Sequence, residues 1–140
     1  MKKMLVILVM ALVAFMLSGC AVKKYCSIEP PLNEITEKNV GSIIIKKVEC
    51  FGRVTVDNCD QSTELLYLGR THPGNYIRIA SRVGRRTPVV AEVTYPENSK
   101  VIDFRDAKIE ILESNDNFIR FKLISISTTG CDRVNGQDVK

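Results

Sequence analysis

The chain has 140 residues, of which 45% are hydrophobic and 26% are charged, and its formal net charge is +4. This length suffices for one domain with a modest core. A net charge this small does not favour nucleic acid as the partner, because nucleic-acid-binding domains concentrate basic charge.

Residues 1–19 have the three parts of a secretory signal peptide. Met1-Lys2-Lys3 is positively charged, residues 4–16 are uninterrupted apolar sequence, and small residues follow at Ser18-Gly19. A membrane-spanning helix needs about 20 apolar residues, and Lys23 and Lys24 follow too soon for one. We therefore expect residues 1–19 to be absent from the mature protein.

The motif Leu17-Ser18-Gly19-Cys20 resembles the lipobox of bacterial lipoproteins, in which a leucine and two small residues precede a modified cysteine. The resemblance implies cleavage before Cys20, a diacylglycerol on its thiol and a further fatty acyl chain, such as palmitate, on its amine. Two or three acyl chains make a stable membrane anchor. Ala21 is not the aspartate that retains enteric-type lipoproteins at the inner membrane, so the resemblance implies the periplasmic side of the outer membrane. The alternative is an ordinary signal peptide with a cysteine at its cleavage point.

Cleavage also changes the charge balance. The loss of Lys2 and Lys3 leaves 18 basic side chains against 16 acidic ones in a mature chain of 121 residues. A nearly neutral protein in an exported compartment is not expected to bind nucleic acid.

Lipidation of one cysteine leaves an even number, namely Cys26, Cys50, Cys59 and Cys131. In an oxidising compartment an even set predicts two disulfides. A structural zinc site usually needs cysteines in close pairs, and the chain has none, so no metal is expected. Four cysteines allow three pairings. The short loop between Cys50 and Cys59 favours that pair, which leaves Cys26 with Cys131.

The mature chain divides into three parts by composition. Residues 20–41 contain Pro30-Pro31 and a polar run, and we expect them to form an extended, lipidated tether. Residues 42–131 are rich in β-branched residues between turn formers, and residues 132–140 are expected to be a polar C-terminal tail.

Period-two alternation predicts the strands of the central part. In 118–127, for example, Ile119, Phe121 and Leu123 alternate with basic residues. The segment 61–68 is ambiguous between a short helix and a strand, and its surroundings favour a strand. This alternation, together with short runs of β-branched residues between turn formers, predicts the strands 42–48, 51–57, 61–68, 76–83, 89–95, 100–104, 107–113 and 118–127. We expect an all-β domain of about seven or eight short strands, as an antiparallel sandwich or a small barrel.

No residue pattern in the chain indicates catalysis or a cofactor. His72 is the only histidine and lies in a predicted loop, where a histidine is usually solvated. The acidic pairs Asp103 with Asp106 and Glu110 with Glu113 lie near predicted turns. The chain lacks the sequence motifs of hydrolases, metalloproteases and nucleotide-binding enzymes. We therefore expect a protein that is not an enzyme, with no cofactor and no catalytic residues.

The strongest indication of a binding site is a cluster of arginines. Arg70, Arg78, Arg82, Arg85 and Arg86 lie within 17 residues, on and around one predicted hairpin. Arginine suits carboxylate and phosphate groups, which an envelope protein, peptidoglycan or lipopolysaccharide supplies. The alternative is a solvated face whose charges discourage edge-to-edge pairing of strands.

These observations favour a lipid-anchored envelope protein that acts as a binding or structural module, with Arg78, Arg82, Arg85 and Arg86 as candidate contacts. The alternative function is inhibition of an envelope-targeting enzyme such as a lysozyme. In that case a turn such as 70–75 or 84–87 is expected to plug the cleft of the enzyme.

Overall fold

The computed structural model describes residues 23–52, 59, 61–84, 89 and 91–139. Within this part the chain forms eleven strands and no helix, and therefore no helix that could cross a membrane. The strands are β1 Lys24–Glu29, β2 Ile35–Asn39, β3 Ile43–Phe51, β4 Gln61–Arg70, β5 Ile77–Val83, β6 Ala91–Tyr95, β7 Val101–Phe104, β8 Ala107–Ser114, β9 Phe118–Ile126, β10 Arg133–Val134 and β11 Gln137–Asp138.

The strands form two sheets that share one core. The larger sheet has the order β11-β10-β1-β3-β4-β5-β6, and the smaller one has the order β2-β9-β8-β7. Neighbouring strands are antiparallel, apart from the parallel pair β1 and β10. The core cluster draws on both sheets, with Tyr67 and Ile79 from the larger and Ile109 and Phe121 from the smaller. The all-β prediction is confirmed, and the form is a sandwich, not a closed barrel.

Alternating hydrophobic residues build this core as the sequence predicts. In β9, Ile119, Phe121 and Leu123 are fully buried, whereas the intervening Arg120 and Lys122 face outward. Burial of apolar surface stabilises the fold by about 25 cal/mol per Å². A one-residue slip of β9 would place its charges in the core, so this burial also sets the strand register.

Two pairs of consecutive strands lie side by side, and the first of them was predicted as the hairpin that carries the arginines. β5 and β6 pair so that Ile77 lies opposite Tyr95. β8 and β9 are joined by a turn in which the Asn115 side-chain oxygen accepts the backbone N–H of Asn117 at 2.8 Å and of Phe118 at 2.9 Å. The ambiguous segment 61–68 lies within strand β4.

The prediction of a tether over residues 20–41 is wrong from residue 24 onward. β1 pairs with β3 on one side and with β10 on the other, so it lies inside the larger sheet. Its Cys26 and Ile28 alternate into the core, and Pro30 follows its last residue. β2 forms the edge of the smaller sheet and is held by its ladder to β9.

The prediction of a polar tail over residues 132–140 is also wrong for most of that segment. β10 and β11 form a small hairpin, and the Asn135 side chain bonds both the backbone N–H and the backbone C=O of Ile28. The predicted strands 42–48 and 51–57 differ from the structure as well, because β3 continues without a break to Phe51. Residues 53–58 lie outside the described part of the chain.

The two predicted disulfides are confirmed. Cys26 is bonded to Cys131 with 5.9 Å between Cα atoms, and Cys50 is bonded to Cys59. The first bond joins β1 to the segment between β9 and β10. It therefore fastens β1 at the point where the chain enters β10, its neighbour in the larger sheet.

The sandwich has two ends, which we name by their residues. The proximal end is where β1 begins, and it contains Lys23, Lys24, Phe51 and residues 127–132. The distal end contains the loop 71–76, the turn 96–99 and the turn 115–117. β4 runs the length of the molecule between them.

Candidate functional site

The predicted arginine site is a row of ion pairs on the outer face of the larger sheet. Arg82 lies opposite Glu64 in the β4–β5 ladder, and its Nε is 2.5 Å from a carboxylate whose side chain is 1% exposed. Arg78 Nε lies 2.7 Å from the Glu92 carboxylate of β6, and this hydrogen bond raises the pKa of Arg78. Each arginine is therefore already paired with one carboxylate of the same sheet.

This geometry does not make a single anion clamp. Arg78 and Arg82 are four residues apart on one strand, which separates their Cα atoms by about 13 Å. A bidentate clamp for one phosphate or carboxylate needs guanidinium groups much closer together. Arg85 and Arg86 lie outside the described residues. Their role as binding residues stays a prediction.

Arg70, at the end of β4, contacts two other elements of the distal end. Its Nη1 is 2.6 Å from Glu97 Oε1, and its Nη2 donates to both the backbone oxygen and the hydroxyl of Ser114. The side chain is only 18% exposed. Arg70 thus fastens three elements of the distal end, namely β4, the turn 96–99 and the end of β8.

Tyr67 contacts the turn 115–117 from the core. Its ring is fully buried in the core, and its hydroxyl donates to the backbone oxygen of Asn115 at 2.5 Å. Burial raises the pKa of Tyr67, and the nearby Arg70 lowers it by a smaller amount. The turn 115–117 therefore rests on a rigid side chain of the core.

The loop 71–76 is closed by its own hydrogen bonds. The Thr71 N–H donates to Tyr76 O at 3.0 Å, the Asn75 N–H donates to Thr71 O at 3.0 Å, and the Tyr76 N–H donates to the Thr71 hydroxyl at 3.1 Å. Gly74 has a φ of +122°, and a Cβ there would lie 3.0 Å from the Tyr76 ring. Only glycine fits this position without strain.

Two side chains of the loop 71–76 are exposed, namely Tyr76 and His72. Tyr76 is 46% exposed, and His72, whose side chain is 68% exposed, has its Nε2 3.1 Å from Asp116 Oδ2. The loop 71–76 and the turn 115–117 thus meet through an exposed hydrogen bond. Together with Arg70 and Glu97 they form what we call the distal surface, a preorganised patch of one aromatic ring and several charged groups.

The sequence could not predict this patch. Turn-forming residues occur at Pro73-Gly74 and Ser114-Asn115-Asp116-Asn117, but the partners of Arg70 and His72 lie 27 to 44 residues away along the chain. Only the sheet pairing brings them together. His72 was expected to be solvated, and it is exposed while also bonded to Asp116.

The predicted acidic pair of Glu110 and Glu113 does not form a site either. Glu113 lies 3.1 Å from Arg120 and Glu110 lies 3.8 Å from Lys122, on the outer face of the smaller sheet. Arg120 also contacts Glu37 of β2 at 2.8 Å. These contacts form an exposed charge ladder across three strands, which is typical of a solvated face.

A groove of about 420 Å³ opens beside the end of β1. Lys38 and Lys46 line it, and neither has a carboxylate within ion-pair distance among the described residues. Its other lining residues are Glu29, Pro30, Thr36, Ile43 and Ile44. Within the described residues, the two lysines of this groove thus differ from Arg78 and Arg82, each of which contacts a carboxylate.

Chemically, these surfaces can contact a partner, and no described constellation points to a reaction. Among the residues that the structure describes, no group of three histidine, cysteine or acidic side chains is arranged to hold a metal ion. Comparison with models of protein families gives no match, and neither the curated proteins nor the solved structures give one.

Proposed function

We propose that this chain is a lipid-anchored binding module of the bacterial envelope. In this proposal Cys20 holds it at the periplasmic face of the outer membrane, and the distal surface engages another envelope component. The resemblance of Leu17-Ser18-Gly19-Cys20 to a lipobox supports the anchor. The two disulfides support an exported, oxidising location.

The observation that carries the binding role is the preorganisation of the distal surface. Arg70 fastens three elements there, and the loop 71–76 is closed by three hydrogen bonds of its own. A surface that is ordered before binding loses less conformational entropy when a partner docks. The exposed Tyr76 offers a large, rigid aromatic contact of the kind that is enriched at interfaces.

The chemistry of the distal surface favours a protein or peptidoglycan as the partner over lipopolysaccharide. Recognition of lipopolysaccharide phosphates requires arginines that are free to chelate them. The guanidinium groups of Arg70, Arg78 and Arg82 each already contact a carboxylate. A partner with peptide groups and aromatic or charged side chains matches this surface better.

Site-specific photo-crosslinking in intact cells tests the binding role. A crosslinking residue at Tyr76 is expected to capture an envelope partner, whereas one at Leu112, an exposed position of the smaller sheet, is the matched control. Tyr76→Ala and His72→Ala should each reduce capture from a neighbouring reporter at Asn75. Equal capture from positions 76 and 112, or none from position 76, contradicts the proposal.

The anchor has a separate test. Cys20→Ala is expected to release the processed protein from the membrane while its two disulfides still form. A processed Cys20→Ala protein that remains with the membrane contradicts lipidation.

Inhibition of an envelope-targeting enzyme is the second candidate, and the closed loop 71–76 favours it. Inhibitory loops that fill a cleft are typically held rigid before binding. The processed Cys20→Ala protein should then slow lysozyme in a turnover assay, and Tyr76→Ala should weaken the inhibition. Unchanged turnover at excess protein contradicts this candidate.

A further inference from the structure

The distance between the anchor and the fold is very short. Lipidation is proposed at Cys20, and β1 begins at Lys24. Four residues of fully extended chain reach at most about 14 Å. A domain attached in this way cannot move far from the bilayer, whereas the 20–41 tether that the sequence predicted would have allowed it to.

Several contacts prevent β1 from lengthening this connection by fraying. The Lys24 N–H donates to the Asp132 carboxylate at 2.6 Å, and the Asp132 N–H donates back to Lys24 O at 2.8 Å. The Gly52 N–H donates to Lys23 O at 2.9 Å. Two residues further on, Cys26 is bonded covalently to Cys131. The fixed part of the molecule therefore begins at Lys23.

The surface at this point has the composition of a membrane-interface contact. Phe51 is 42% exposed and lies opposite Lys24, whose Nζ is 5.7 Å from the centre of its ring. Lys23 beside it is exposed. Apolar side chains such as Phe insert at the boundary between headgroups and acyl chains, and lysines there are attracted to anionic lipids.

An ion-pair cluster lies beside this surface and holds the side chain of Lys24 in place. Lys24 Nζ lies 2.6 Å and Lys47 Nζ lies 3.0 Å from the Glu49 carboxylate, so two ammonium groups share one carboxylate. The proximal end thus combines an exposed aromatic ring with the exposed Lys23, directly where the lipidated chain joins the fold.

We propose that the proximal end of the sandwich, with Lys23, Lys24 and Phe51, lies directly on an anionic lipid bilayer and fixes the orientation of the domain. This inference rests on the proposed anchor at Cys20. The distal surface then points away from the membrane. The height of the distal surface above the membrane follows from the length of β4. Its ten residues span about 33 Å at 3.3 Å per residue.

Single tryptophan reporters test this orientation, because the native chain contains no tryptophan. The lipidated mature protein is reconstituted into vesicles of phosphatidylethanolamine and phosphatidylglycerol, with or without brominated acyl chains that quench nearby indoles. Phe51→Trp is the proximal reporter. Tyr76→Trp is the matched control, because the two native rings are similarly exposed. Val83 is the last residue of β5 and lies toward the proximal end of the sandwich. Val83→Trp therefore serves as a second proximal reporter.

Brominated lipid is expected to quench position 51 strongly and position 83 to a lesser degree, and to leave position 76 unchanged. Equal quenching at positions 51 and 76, or none at positions 51 and 83, overturns the orientation. Flotation of the protein with the vesicles is measured on the same samples. Protein that does not float contradicts the anchor itself, whereas floating protein with unquenched proximal reporters contradicts only this inference.

Discussion

Arg70 and Arg78 are the same residue type in very different surroundings. Arg70 is largely buried and bonds a carboxylate, a hydroxyl and a backbone oxygen. Arg78 is more exposed and bonds the Glu92 carboxylate. A charged hydrogen bond to a buried acceptor contributes more to folding stability than an exposed ion pair does. When the buried bond is lost, water cannot take the place of the missing donor.

Arg70→Ala is expected to lower the free energy of unfolding by about 1–3 kcal/mol, since it leaves the Ser114 backbone oxygen without its donor. Arg78→Ala, the matched control, should change it by less than about 1 kcal/mol. Urea unfolding of the processed protein measures both values. Equal losses in the two variants would show that Arg70 is only a surface ion pair.

Glu49 makes the stability of the fold depend on pH in the acidic range. Burial on its own would raise the pKa of Glu49, but hydrogen bonds and charges from Lys24 and Lys47 outweigh it and hold that pKa below the ordinary value of 4.5. A lowered pKa adds stability that is fully present above 4.5 and is lost as the pH falls through the folded-state value. Part of the acid unfolding of this protein should therefore originate at Glu49.

Glu49→Gln is expected to make the free energy of unfolding less dependent on pH below 4.5, while lowering it at neutral pH. Urea unfolding between pH 3 and pH 7 measures this dependence. Glu110→Gln is the control, because the nearest lysine nitrogen there is 3.8 Å away. A Glu49→Gln protein with the same acid dependence as the native chain contradicts the assignment.

Among the elements, the hydrophobic pattern predicted the strands with one buried and one solvated face. β9 is the clearest case, since Ile119, Phe121 and Leu123 alternate with charged residues. β2 could not be found in this way, because its residues are mostly exposed. Its ladder to β9 and the ion pair between Glu37 and Arg120 hold it in place, and neither leaves a period-two hydrophobic pattern.

β1 was missed for a different reason. It has only two core residues, Cys26 and Ile28, and Pro30 follows it directly. Two alternating positions are too few to distinguish a strand from an extended linker. The pairing of Cys26 with Cys131 was predicted correctly, yet that bond already implied that β1 lies against the fold.

The two disulfides close loops of very different length. They should therefore contribute different amounts to the free energy of unfolding. Cys26 and Cys131 are 105 residues apart, whereas Cys50 and Cys59 are nine apart. In the chain-entropy model a loop of about 100 residues contributes about 4.7 kcal/mol, and one of nine residues contributes about 2.6 kcal/mol.

The double variant Cys26→Ala with Cys131→Ala is thus expected to lose more stability than Cys50→Ala with Cys59→Ala. Urea unfolding under oxidising conditions compares them, with the fully reduced native protein as a reference. A larger loss from the shorter loop would mean that local packing, and not loop closure, dominates the contribution of these bonds.

At the scale of the whole molecule, the described ends of the chain meet at one end of the sandwich. β1 begins there, and the Val139 N–H donates to Asp132 O beside it. Neither end of the described chain therefore lies at the distal surface. This arrangement suits a domain that is attached at one end and binds at the other.

The short connection between Cys20 and Lys24 should matter for the position of the whole domain, and lengthening it separates anchoring from orientation. A spacer of about ten Gly and Ser residues inserted after Val22 adds a root-mean-square reach of about 17 Å. The protein should float with vesicles as before, because the lipid is unchanged. Quenching of Phe51→Trp by brominated lipid should fall, since the proximal end is then free to leave the surface. Unchanged quenching would mean that Lys23, Lys24 and Phe51 bind lipid strongly enough to hold the domain down without the short connection.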